Sequence, residues 1–324
     1  MDTFEFAVLG AGAMGSILAA HLARAGHSVA LLARGRRAAQ VRTDGLRIAG
    51  LTQLTVPVQV IDDPARLHEA NVLIVATKAI GTAESLRPLT HAKIGYAFSV
   101  QNGVLKNDLL QAAFGREHVL GALANLSGEL LPSGEVLFTR NVSLQIGSLA
   151  GGIPDAVRNL ARHIDAAGVR AVAVPDVAAR EWSKFVAWVG MAGVAISTRV
   201  VTWKYLTDPD AALVLVRLIR EMGELASRAG VTLTDDAVFP VATLNRIAEG
   251  DAVRVLNDIG AQMREHSPSH RLSAHQDIDA SRPLEVEETL GHAARSAVLA
   301  GLSLPLVDSV YRIAAAIDRT SRMP

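Results

Sequence analysis

A chain of 324 residues with 32 basic and 32 acidic side chains, no cysteine and half its residues apolar excludes several classes of protein at once. Zero net charge argues against nucleic acid as a main partner, because neutralising phosphates takes a clustered basic excess. The absence of cysteine removes disulfide frameworks, thiol nucleophiles, iron–sulfur clusters and cysteine-ligated zinc, and the length suits about two domains of ordinary size.

The chain begins Met1-Asp2-Thr3-Phe4-Glu5-Phe6, acidic where a signal peptide has a basic start. Phe4–Leu9 predicts a strand. Met14–Ala25 predicts a helix, with apolar residues at Met14, Ile17, Leu18, Leu22 and Ala25. Val29–Ala33, Val72–Ala76, Tyr96–Val100 and Val119–Ala122 are continuous apolar runs, as expected of parallel strands covered on both faces. Gly134–Phe138 and Val142–Ile146, split at Arg140-Asn141, predict an antiparallel hairpin. Pro154 then opens a helix to Ala167, and Ala171–Val174 is a last short strand.

After Pro175 only helical patterns follow: from an Asp176 cap to Thr198, from Pro209 to Gly230, and over Pro240–Ala248, Leu284–Ala300 and Pro305–Ile317. The expectation is therefore an α/β fold: a doubly wound sheet of the Rossmann type over residues 1–175, then an all-helical domain over 176–324. The longest uncharged apolar stretch, 185–198, falls short of the about 18–20 residues of a membrane span. A soluble, cytoplasmic protein without a membrane partner is expected. The apolar faces of its long helices can serve a homodimer contact as readily as a core.

Gly10-Ala11-Gly12-Ala13-Met14-Gly15 fits G-x-G-x-x-G between the first strand and the first helix. The first glycine permits the tight turn, the second lets the backbone approach a pyrophosphate, and the third lets helix and strand pack closely. The phosphates then meet the positive end of the helix. The second strand leads into Ala33-Arg34-Gly35-Arg36-Arg37, with no carboxylate for a ribose 2′-hydroxyl. Arg34, with Arg36 or Arg37 as a second charge, suits the 2′-phosphate of NADP(H).

Four further segments place polar residues where a ligand would sit. Lys78 and Gln101-Asn102-Gly103 follow two of the predicted strands, at the carboxyl edge of the sheet. Lys184 begins the long apolar run of the 176–198 helix, and Glu285 follows Arg282-Pro283 at the start of another helix. In order, Ala76-Thr77-Lys78-Ala79, Gln101-Asn102-Gly103, Glu181-Trp182-Ser183-Lys184 and Gln276-Asp277-Ile278 leading to Pro283-Leu284-Glu285 resemble the ketopantoate reductase (2-dehydropantoate 2-reductase) family over essentially the whole chain. The resemblance implies reduction of a small-molecule 2-oxo acid by NADPH in a cleft between the two domains. It implies Lys184 as general acid, Glu285 as a substrate-binding and orienting carboxylate, and Asn102 beside nicotinamide and substrate. Lys78 and Ser273 would help hold cofactor or substrate. Hydride arriving at a carbonyl carbon builds negative charge on oxygen, which a lysine ammonium can stabilise and protonate.

The chain departs from that family at the substrate end. The family usually carries asparagines four and eight residues after the lysine, where this chain has Trp188 and Ala192, and often one before the retained Gly291, where it has Leu290. Four residues advance a helix by about 400°, so Trp188 and Ala192 lie near the face of Lys184 and make a substrate wall there apolar. Core repacking with unchanged chemistry and a less polar 2-oxo acid or carbonyl substrate both fit. A non-catalytic NADP sensor is the alternative from another class; Lys184, Asn102 and Glu285 together argue against it, since a sensor needs no acid. No metal is expected: His266, His270 and His275 are interrupted by Pro268, and no third-ligand pattern accompanies them.

Overall fold

The computed structural model describes residues 3–279 and 281–321; residues 1–2, 280 and 322–324 of the two expected domains lie outside that description. The chain divides into two compact units, Met1–Asn102 with Lys106–Ala178, and Gly103–Leu105 with Ala179–Pro324.

The first unit runs β1 (Thr3–Leu9), α1 (Ala13–Arg24), β2 (Val29–Leu32), α2 (Gly35–Asp44), β3 (Leu46–Gly50), β4 (Leu54–Val56), β5 (Gln59–Ile61), β6 (Glu69–Val75), α3 (Thr82–Leu86), β7 (Lys93–Ser99), α4 (Leu105–Phe114), β8 (Leu120–Leu130), β9 (Val136–Ser148), α5 (Asp155–Ala166) and β10 (Ala171–Ala173). The first strand and the runs at 29–33, 72–76 and 96–100 form a parallel sheet with β5 in the order β5-β2-β1-β6-β7, with Val8 opposite Leu31 and Ile74. The 119–122 run instead opens β8, which pairs antiparallel with β9 in another sheet. In this second, mixed sheet, β10-β9-β3-β4 with β8 on β9, the strands β3 and β4 join those expected from the sequence.

The two sheets explain the composition of α1. Every residue from Gly15 to Leu22 is buried, because α1 packs on Phe6 and Val8 of one sheet and on Phe138 and Leu144 of the other. A helix apolar on all sides is one covered on all sides. The opposite face of the parallel sheet packs Ala7, Leu9 and Leu73 on Leu86 of α3 and Leu110 of α4. Each such buried aliphatic side chain contributes about 1.5–3 kcal/mol.

The hairpin differs from its prediction. Residues 136–148 are one continuous strand, and the turn lies at Leu131-Pro132-Ser133-Gly134, closed by Leu131 N to Glu135 O at 2.9 Å. Arg140 and Asn141 stay within β9, paired with Ser127 and Leu126, and register shifts on either side leave Thr139 and Val142 as the extra residues without ending the strand.

The second unit is helical: α6 (Val177–Thr198), which starts within the first unit's last residues, then α7 (Thr202–Thr207), α8 (Pro209–Arg228), α9 (Val241–Leu244), α10 (Glu249–His266), α11 (Ser273–Asp279), α12 (Leu290–Leu299) and α13 (Pro305–Thr320). Among the described residues no strand follows Ala173, and no helix is long and apolar enough to cross a membrane. α6 is the axis. A Cβ on Gly190 would stand 2.6 Å from Leu215 of α8, and one on Gly193 would stand 2.6 Å from Val310 of α13. These glycines admit two helices to close contact.

Two helix boundaries differ from expectation, and α7, α10 and α11 have no counterpart in it. The Pro240–Ala248 pattern yields only the single turn α9. The 284–300 pattern yields a helix only from Leu290; residues 286–289 form turns, and Gly291 N bonds to Val286 O, five residues back. α10 was not anticipated because its buried side is Ala252, Leu256 and Gly260, too small to register as an apolar stripe. It packs close instead: a Cβ on Gly260 would sit 2.7 Å from Leu206 Cβ, and Asn257 Nδ2 donates to Leu206 O at 2.6 Å.

Candidate functional site

The glycine loop of the first unit is shaped by what a side chain would strike. Gly10 has φ +108°, and a Cβ there would lie 2.9 Å from the main-chain nitrogen of Thr77. A Cβ on Gly15 would lie 1.9 Å from Gly10 O, so the third glycine lets α1 close on the loop. Gly12 has nothing within 4 Å of its Cβ position; it is exposed, and as the cap of α1 it has no side chain to bind the first amides of the helix. Those N–H groups, from Ala13, Met14 and Gly15, are donors at a positive helix end. They face a requirement that a pyrophosphate meets.

A cavity of about 400 Å³ adjoins this loop, lined by Gly10, Ala11, Gly12, Arg34, Arg37 and Thr77 among others. The three basic residues after β2 have different tasks. Arg34 is exposed at the cap of α2 and lines the cavity, and Arg36 is exposed beside it. Arg37 is consumed by the fold: Nε donates to Ala11 O (3.0 Å), Nη2 to Ser16 Oγ (2.9 Å) and Nη1 to Gly134 O (2.7 Å). Burial pushes its guanidinium below the ordinary arginine value, and the charge of Arg47 adds to that. It ties the glycine loop to the β8–β9 turn, which leaves Arg34 and Arg36 as the charges available to a ligand.

Lys78 is exposed just after β6 and Asn102 is half-buried just after β7; neither belongs to the lining of that cavity. The residue between them in importance is one the motif reading passed over. Gln101 is buried, and its Nε2 lies 3.1 Å from Thr77 Oγ1, 3.0 Å from Lys78 O and 2.9 Å from Thr82 Oγ1. One amide therefore fastens the Lys78 loop to the Asn102 loop. The signal was present as the first letter of Gln101-Asn102-Gly103, but only the tertiary pairing shows its partners.

In the second unit Lys184 is half-buried on α6, with Trp188 one turn on at 7 % exposure and Ala192 fully buried another turn on. Trp188, Ser273 and Glu285 come together around a cavity of about 10 Å³, the size of one water, with Asp277, Thr289 and Leu290. Lys184 is not in that lining. Glu285 is half-buried on the turn before α12, and Thr289 Oγ1 donates to its carbonyl. Glu287 is structural: it accepts from Tyr311 OH at 2.9 Å and from Arg295 at 3.0 Å, and Gly291 leaves room for that cluster. Glu288 is half-buried; burial pushes its carboxyl above the ordinary value, and the charges of Glu285 and Glu287 add to the shift.

The three histidines have separate partners. His266 Nδ1 is 2.9 Å from Gln262 O, His270 Nδ1 is 2.9 Å from Thr202 Oγ1, and His275 Nε2 is 3.6 Å from Asp279. Among the described residues no group of three or more His, Asp or Glu is disposed to hold a metal ion.

A parallel sheet with a glycine cradle and a basic wall, followed by a helical unit, is the Rossmann-type architecture of dinucleotide-binding proteins. The family model "Ketopantoate reductase PanE/ApbA" matches residues 6–151, and its C-terminal counterpart matches residues 176–318. The chain belongs to the ketopantoate reductase family of NAD(P)-dependent oxidoreductases. It is 27% identical to 2-dehydropantoate 2-reductase of Archaeoglobus fulgidus over 252 residues, 78% of this chain and 83% of that protein. The crystal structure of a PanE/ApbA family ketopantoate reductase from Ralstonia eutropha superposes with a TM-score of 0.83 at 22% identity, covering 99% of this chain and 100% of that one. A ternary structure of D-mandelate dehydrogenase with NADH and anilino(oxo)acetate superposes at 0.80 and 18% identity, with 99% and 100% coverage. At these identities the structural likeness speaks to the fold.

Proposed function

We propose that the protein reduces a 2-oxo acid to the 2-hydroxy acid with NADPH, ketopantoate to pantoate by its family, and that Lys184 is the general acid. The observation that carries this reading is the match to both parts of the family model in a chain that retains Lys184, Asn102 and Glu285. Bound NADPH supplies the hydride. The amides at the start of α1 would hold the pyrophosphate beside Gly12, and the Arg34 fork would pair with the 2′-phosphate, an anion that a carboxylate at this position would repel. Asn102 hydrogen-bonds near the nicotinamide and the reacting carbonyl. The Lys184 ammonium neutralises charge on the carbonyl oxygen and delivers a proton to it, while Glu285 orients the substrate and Ser273 and Lys78 hold substrate or cofactor.

Purified protein with NADPH and ketopantoate tests the reading. Lys184→Ala lowers turnover by about 10²–10⁴-fold while NADPH still binds. Unchanged turnover in that variant overturns the assignment of the acid, and a wild type that binds NADPH without turning over any 2-oxo acid makes the protein a sensor.

One observation favours a second reading, a less polar 2-oxo acid or carbonyl substrate. Trp188 and Leu290 line the same one-water cavity as Ser273 and Glu285, so an indole and an isobutyl group lie among the surroundings of Glu285. The ratio of kcat/KM for ketopantoate to that for apolar 2-oxo acids decides between the two.

A further inference from the structure

We propose that Lys106 is a positioning residue: its ammonium pins the loop that carries Asn102, and through Asn102 it aligns the reaction. The inference rests on the reductase reading above. Lys106 lies in the first turn of α4 and is only 5% exposed. An ammonium has three donors and no acceptor, and a lysine is seldom buried to this degree without partners. Its Nζ lies 3.0 Å from Ser99 O, 3.1 Å from Gln101 O and 2.6 Å from Ala122 O.

Those carbonyls belong to the last residue of β7, to the residue immediately before Asn102, and to β8. One cation therefore draws two strands and the loop onto a single point through charge-assisted bonds. The side chain of the same Gln101 is fastened to Thr77 Oγ1, Lys78 O and Thr82 Oγ1, and its N–H donates to Ser99 Oγ at 3.1 Å. Gln101 is thus held at its carbonyl by Lys106 and at its amide by the Lys78 loop. Asn102 is the next residue along and inherits that fixed backbone. A mere core position would be met by an apolar side chain; a buried cation aimed at three carbonyls at the edge of the sheet specifies one loop conformation.

Lys106→Met removes the donors and keeps the approximate shape. Its kcat falls by about 10–100-fold, the range for a misplaced reacting group, while the Kd for NADPH moves less than about threefold. Added to Asn102→Ala, it lowers kcat no further, because both act through one group. In the cofactor-free protein the amides of residues 99–104 exchange about tenfold faster or more, while those of β1 keep their protection. If Lys106→Met folds poorly, Lys106→Cys gives this cysteine-free chain a single thiol. Aminoethylation in denaturant followed by refolding restores the ammonium, and with it turnover and slow exchange; propylation, of similar length and no charge, does not.

Unchanged kcat per folded molecule, additive losses with Asn102→Ala, unchanged exchange at 99–104, or equal recovery with the propyl adduct each overturn the proposal. A wild type inert toward 2-oxo acids overturns the reductase reading instead, and the exchange comparison still decides whether Lys106 pins the loop.

Discussion

The cavity beside the glycine loop and the cavity beside Trp188 are walled by different materials. The first is lined by Gly10-Ala11-Gly12 and by residues at or just beyond the ends of neighbouring parallel strands, and it measures about 400 Å³. The second is bounded by side chains from three separated stretches, α6, α11 and the turn at 284–290, and it encloses about 10 Å³. A site made of backbone tolerates few sequences, because only glycine leaves the amides accessible. A site made of side chains can change its chemistry by substitution while the helices stay in place. The first cavity carries the glycine motif in its wall, and the second has Trp188 and Leu290 in its lining.

Mutations can break that contrast. The largest effect is expected at Trp188, whose buried indole braces α6: Trp188→Ala costs about 3–5 kcal/mol, read as the shift in urea midpoint. A cost near zero would mean that the wall beside Glu285 is not packed and that the pocket is open. Next comes Gly15→Ala, where the added carbon meets Gly10 O; it costs about 1–3 kcal/mol and weakens NADPH binding. Its control, Gly12→Ala, meets no atom within 4 Å and is expected to leave the melting temperature in place while the dissociation constant for NADPH rises. Equal destabilisation by both would show that the loop is merely a structural turn.

Arg34→Ala is smaller. It raises the dissociation constant for NADPH by about tenfold, or 1.4 kcal/mol, and leaves NADH unaffected. An equal change for both nucleotides would place the 2′-phosphate elsewhere. The smallest effect concerns pH. His21 is fully buried, with Nδ1 3.0 Å from Ala167 O and Nε2 3.3 Å from Thr52 Oγ1. Burial pushes its imidazole below the ordinary value, against the raising effect of Ala167 O and with the charge of Arg24 adding to the fall. The unfolded chain then binds the proton more readily, so this contribution is complete above about pH 6.5 and declines as pH drops toward the lowered folded value, by at most about 1.4 kcal/mol per pH unit. Thermal melts at pH 7.5 and 5.5 should converge in His21→Gln, and an unchanged pH dependence would remove the assignment.

The shape of the glycine loop was legible residue by residue. Gly10, Gly12 and Gly15 are read from spacing alone because their role depends on the absence of a side chain, and the flanking strand and helix are local patterns. Arg37 shows the limit: it is as basic as Arg34, and only its bonds to Ala11 O, Ser16 Oγ and Gly134 O reveal that the fold consumes it. The 131–134 turn was misplaced to 140–141 because polar residues on an exposed strand look like a turn when the pairing partner is unknown. α10 escaped because Ala252 and Gly260 contribute closeness, which no hydropathy pattern records.

From the chain alone came the division into an α/β part and a helical part, the glycine loop between the first strand and helix, and the family, since each depends on neighbours within a few residues or on an ordered set of short motifs. Tertiary structure decided which of the basic residues after β2 are available, why Gln101 and Lys106 matter, and that Trp188, Ser273 and Glu285 share one small cavity. Those facts are pairings between residues far apart in the chain, and such pairings are set by how the layers pack, which no local pattern contains.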